Sequence, residues 1–123
     1  MVRKVPLVVL TPHPQGGKRA KGSLTTGAAY ATVCSLTPVT GKYFQVCKIL
    51  VSCDKDVQYK LQFGGVDISI EVILSANTPF PDWFAWNAYS CLGDGAKTFA
   101  IQAKYPTGGS AGTCFAEIHG EEQ

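Results

Sequence analysis

The first 53 residues contain no acidic side chain. Arg3, Lys4, Lys18, Arg19, Lys21, Lys42 and Lys48 give that stretch a charge of +7, and the remainder, with four lysines and nine acids, carries −5, which nets to +2. Such a split points to a basic segment that meets a negative partner: another copy's acidic body, an acidic protein lattice, or nucleic acid. Histidine is also scarce, with His13 in a proline-rich stretch and His119 near the end. With two histidines and no Cys-x-x-Cys spacing among its five cysteines, the chain lacks the usual ligands of a zinc centre. Asp54, Asp56 and Asp94 are too scattered to supply the six or more oxygens that calcium takes. No glycine-rich loop leads into Gly-Lys-Ser/Thr, so a phosphate loop is excluded. No metal or other cofactor is expected. No apolar run approaches the roughly 18 residues of a membrane span, and no membrane partner is expected either. A nucleophilic pair of His119 with one of the cysteines has no local signature to support it. The chain reads as non-enzymatic.

What is present suits one β domain. The 123 residues are 46% hydrophobic and 16% charged, enough for a sizeable core, and thirteen glycines with seven prolines provide many turns. Cys34, Cys47, Cys53, Cys91 and Cys114 are odd in number and sit mostly in apolar strand patterns, as small buried hydrophobes do. That favours thiols and a reducing cytosol at assembly.

Residues 1–22 read as an extended basic N-terminal arm and residues 23–123 as the folded body. In the arm, Pro6, Pro12 and Pro14 bracket Leu7-Val8-Val9-Leu10, a short β segment, before the flexible basic run Gly16–Gly22. The basic, apolar start lacks the length and cleavage site of a signal peptide and reads as part of the mature chain. Leu7–Leu10 pairs either with a neighbouring subunit or with the edge of its own domain. Lys18, Arg19 and Lys21 are too few, and too far from any aromatic, to make nucleic acid a favoured partner. In the body, Leu24–Leu36 reads as a strand bent at Gly27. Tyr43–Cys53 reads as a central strand. Val57–Phe63 and Val66–Leu74 form a hairpin about Gly64-Gly65, with Val66, Ile68, Ile70, Val72 and Leu74 on one face. After the turn Gly93-Asp94-Gly95, Phe99–Lys104 and Cys114–Ile118 flank a hairpin loop, Pro106–Gly112, and an acidic tail, Glu121-Glu122, follows. About seven strands joined by regular turns make an all-β antiparallel sandwich of jelly-roll type.

Between these strands runs an aromatic crossing: Phe80, Trp83, Phe84, Trp86 and Tyr89. A helical turn after Asp82 would set Trp83 and Trp86 on neighbouring faces. The stretch either plugs one end of the core or forms a platform for sugar. The second choice would make the protein a carbohydrate-binding β-sandwich module.

An extended basic arm rich in proline and glycine, on a small cysteine-tolerant β-sandwich, resembles the decoration (cement) proteins of tailed bacteriophages. Val46–Asp56 and Trp83–Lys97 look like recurrent elements of small phage structural proteins. The resemblance implies a virion subunit assembled in the host cytoplasm. Its partners would be the major capsid protein or other virion subunits, and it would itself be a homo-oligomer such as a trimer. Its interface residues would be Arg3, Lys4, Leu7, Val8, Val9, Leu10, Lys18, Arg19 and Lys21.

Overall fold

A computed structural model describes residues 17–78, 80–83 and 90–122, with backbone alone at 17, 80–83 and 90. No helix forms among them. The strands are β1 (Gly17–Thr25), β2 (Ala31–Leu36), β3 (Tyr43–Cys53), β4 (Val57–Phe63), β5 (Val66–Asp67), β6 (Val72–Leu74), β7 (Phe80–Trp83), β8 (Ser90–Leu92), β9 (Phe99–Lys104) and β10 (Thr113–Glu122). They form two antiparallel sheets packed as a sandwich. One runs β1-β10-β3-β7, with β8 also on β3, and the other runs β2-β9-β4-β5, with β6 also on β4.

The pairing is nested around one tight turn. Gly64 and Gly65, at φ +61° and +83°, adopt the left-handed conformation that a two-residue hairpin demands and that glycine adopts without strain. From that tip, β4 pairs with β5 and β6, β3 with β7 and β8, β2 with β9, and β1 with β10. The aromatic stretch was expected to be a connection between strands; its described ends are themselves strands, β7 and β8, both paired with β3, and the changes of sheet fall between β6 and β7 and between β8 and β9.

Alternation places the core. Val57, Tyr59 and Leu61 of β4 meet Phe99, Ile101 and Ala103 of β9, and Cys114, Ala116 and Ile118 of β10 meet Phe44, Val46, Ile49, Val51 and Cys53 of β3. On β3 the buried parity switches between Val46 and Ile49. Lys48 pairs with His119 and Val46 with Gly120, so Cys47 is an extra residue, a bulge that turns the strand's face. Val33 does the same on β2, which is why Val33 and Cys34 are both buried.

Several expectations are corrected. Leu24–Leu36 is two strands in different sheets. The corner is held by buried Thr26, whose Oγ1 accepts from the Gly112 N–H at 2.9 Å and whose N–H donates to the Gly112 carbonyl at 2.8 Å. The Pro106–Gly112 loop is no hairpin, since it joins β9 of one sheet to β10 of the other. Glu121 and Glu122 are not a tail but the end of β10, opposite Gln45 and Phe44. From Gly17 on, the supposed flexible linker is ladder, register-paired with β10. Trp83 is a strand residue rather than the start of a helical turn.

Gly22 shows why that segment is glycine-bearing: a Cβ there would collide with the Val33 carbonyl oxygen of the facing sheet. Replacing Gly22→Ala should therefore lower stability by about 1–3 kcal/mol. In urea unfolding the midpoint should drop with the slope unchanged.

Candidate interaction surface

Lys18, Arg19 and Lys21 find acids within their own chain. Lys21 stands opposite Glu117 and Arg19 opposite His119 in the β1–β10 ladder. Lys18 Nζ lies 3.3 Å from Glu122 Oε1. The Glu122 carboxylate also accepts the Val39 N–H at 3.0 Å, tying the β2–β3 loop to the end of β10. Its pKa falls below the ordinary 4.5, first through the Val39 N–H and then through Lys18. Glu117 shares a 2.8 Å hydrogen bond with His119 Nε2, which lowers its pKa, and Arg19 and Lys21 add smaller contributions in the same direction. Lys18, Arg19 and Lys21 were expected on a flexible arm facing an external partner. They stand instead against the chain's own acidic strand.

The open edge of the second sheet departs from its predicted pattern. Val66, Ile70 and Ile73 are 65%, 79% and 66% exposed, and of the five residues expected on one buried face only Leu74 is buried. The reason is local. Leu61 N–H donates to Ser69 Oγ at 2.8 Å, and Ile68 N–H donates to the Leu61 carbonyl at 2.9 Å. The second bond continues the β4–β5 register, but the first takes the Leu61 N–H out of the ladder, and pairing resumes only at Val72 with the register moved by two residues, leaving two short paired pieces, β5 and β6. The acids of this edge turn to the polar outer face of its sheet. Asp67 binds Lys60 at 3.0 Å and accepts from Gln62 at 2.8 Å, while Glu71 accepts from Gln58 at 3.0 Å. Gln58 Nε2 also donates to the Tyr30 hydroxyl at 3.0 Å, and Lys60 and Lys104 lie over the Tyr30 ring at 4.2 and 5.1 Å. Burial, then Glu71, pushes the Tyr30 phenol up to about 12. This face is polar over β4 and β9, and exposed Ile73 joins it at the edge, opposite Gln58.

Two smaller apolar features lie on the other sheet. Tyr43 and Leu92 are exposed ladder partners on β3 and β8, beside exposed Val39. Phe115 stands out between hollows lined by Leu50 and Ser52 on one side and Lys21 and Ser23 on the other.

Arg3, Lys4, Leu7, Val8, Val9, Leu10, Phe84, Trp86 and Tyr89 lie outside the described residues. Phe80 and Trp83 stand on β7, opposite Val51 and Lys48 of β3. The choice between plug and platform also falls outside what is described. Among the described residues no cluster of His, Cys, Asp and Glu could hold a metal ion, and no helix is long and apolar enough to cross a membrane. The chain matches no protein-family model, no curated protein and no solved structure.

Glu122 gives a pH test. A carboxyl whose folded pKa is depressed stabilises the fold fully above its unfolded value, and that contribution is lost as pH falls through the folded value. Glu122→Gln should lower the melting temperature at pH 7, and the gap from wild type should close once the pH is well below 4.5. Thermal unfolding of both proteins across that range measures the effect.

Proposed function

We propose that the protein is a non-enzymatic structural subunit of a virion, which decorates and stabilises a capsid through edge-strand contacts. The observation that carries this reading is the β5–β6 edge. The open side of β5 and β6 presents Val66, Ile70 and Ile73 to solvent, and an extended segment of a neighbour would add to the sheet there by β-augmentation. Leu7–Leu10, flanked by prolines and preceded by Arg3 and Lys4, has the composition of such a segment. The strand order supports the same reading. Merging β5 with β6 and β7 with β8 leaves eight positions that alternate between sheets around one hairpin, and we read this as a jelly roll, an architecture that capsid domains share with lectins and cupins. The fold alone does not assign a function, and the apolar edge supplies the argument from a site. Repetition across a lattice gives short contacts of this kind their strength.

The informative truncation removes residues 1–16. A deletion to residue 22 would take most of β1 with it and confuse folding with assembly. The shortened protein should remain folded, with co-sedimentation on undecorated capsids, or with full-length protein, reduced at least tenfold. Ile70→Lys and Ile73→Lys should each produce a comparable loss in the full chain. High salt should weaken the contribution of Arg3 and Lys4 while leaving the apolar contribution in place. Unchanged binding of the truncated protein at both low and high salt would sink the proposal.

A further inference from the structure

A group of inward-facing thiols has no part in the assembly reading. Cys53 ends β3, Cys114 is the second residue of β10, and the two are direct ladder partners. The Asp54 N–H donates to the Thr113 carbonyl at 3.3 Å. A bond between those flanking residues marks Cys53 and Cys114 as a non-hydrogen-bonded pair, the class with Cα atoms about 4.5 Å apart and side chains closest together. That separation falls within the roughly 4.4–6.8 Å that a disulfide spans. Both thiols are buried. Burial, then the neighbouring Cys53, pushes the Cys114 thiol up to about 12, and Cys34 on β2 adds to the effect. Cys53 stands at the end of β3, among the residues that border a surface hollow with Ser52, Asp54, Asn77, Thr113 and Phe115.

We propose that Cys53 and Cys114 are an oxidation site, closed to a cross-strand disulfide by a small-molecule disulfide of the glutathione class. The Cys53 thiol loses its proton and its sulfur attacks one sulfur of the reagent, breaking the S–S bond and releasing one glutathione thiol. Cys114, deprotonated in turn, attacks the Cys53 sulfur of the mixed disulfide and releases the second. Two protein thiols are oxidised and one glutathione disulfide is reduced to two thiols, which carry the two protons. The product joins the end of β3 to the start of β10 and closes a loop of about sixty residues, long enough for the cross-link to restrict the unfolded chain strongly.

The test uses the full chain, prepared reduced and incubated in native buffer with oxidised glutathione. Two of the five thiols should disappear, and a proteolytic digest should contain one linked pair joining Cys53 to Cys114. The melting temperature should rise on the order of 10 °C, and dithiothreitol should reverse both changes. Cys34→Ala should leave the result intact, and Cys114→Ala should abolish the linked pair. Should Cys114→Ala fail to fold, the peptide map of the wild-type protein decides alone. No loss of thiols, glutathione retained as a mixed adduct, or a link through Cys34, Cys47 or Cys91 would overturn the assignment.

Discussion

The ladder between β3 and β10 is the constraint on which the rest of the molecule depends. It runs from Cys53 opposite Cys114 to Phe44 opposite Glu122, and it forms the middle of its sheet. On its inner side it presents Phe44, Val46, Ile49, Val51, Cys114, Ala116 and Ile118 to the facing sheet. On its outer side it brings the acids of β10 alongside the basic residues of β1. Without the bulge at Cys47, the two ends of β3 could not both point apolar residues inward. One inserted residue thus reconciles an eleven-residue strand with a single core.

The second sheet is organised differently. Its outer face is covered by Tyr30 and the glutamines and lysines of β4 and β9, whose polar groups bond one another. Its weak point is lateral, where residues 68–71 leave the ladder and nothing else of the described chain pairs with the backbone beyond. Sheets with edges of this kind ordinarily protect them with charge or proline. Here Asp67 and Glu71 bond to Lys60, Gln62 and Gln58 and stay exposed themselves, side by side with exposed Val66, Ile70 and Ile73.

Where burial follows simple alternation, the sequence was readable. The limits of β3, β4 and the Gly64-Gly65 tip agree with their patterns, because each strand sits inside a sheet with one face on the core. Leu24–Leu36 misled because the chain changes sheet at Thr26, a corner made by hydrogen bonds to Gly112 that lies 86 residues away. The Val66–Leu74 pattern misled for another reason. A period of two reports pleating, and cannot distinguish a strand on the ladder from one displaced by a single Ser69 bond. The surface was therefore only half legible: Lys18, Arg19 and Lys21 were picked out as a charged cluster, but their partners Glu117 and Glu122 are brought near only by folding. The charge imbalance between the two halves of the chain is met in part by internal pairing.

The nesting of the strands sets the order in which the fold can be completed during synthesis. Gly17 and Glu121 are ladder partners roughly a hundred residues apart, and β3 must wait for Thr113–Glu122 before its sheet has a centre. The hairpin at Gly64-Gly65 is local and can close early, while the pairs further from it close in turn. A nascent chain that has released β1 to β9 carries the inner faces of both sheets without the strand that joins β1 to β3. Its apolar residues stay exposed for most of translation, and at that stage the growing chain is most open to wrong partners and to chaperones.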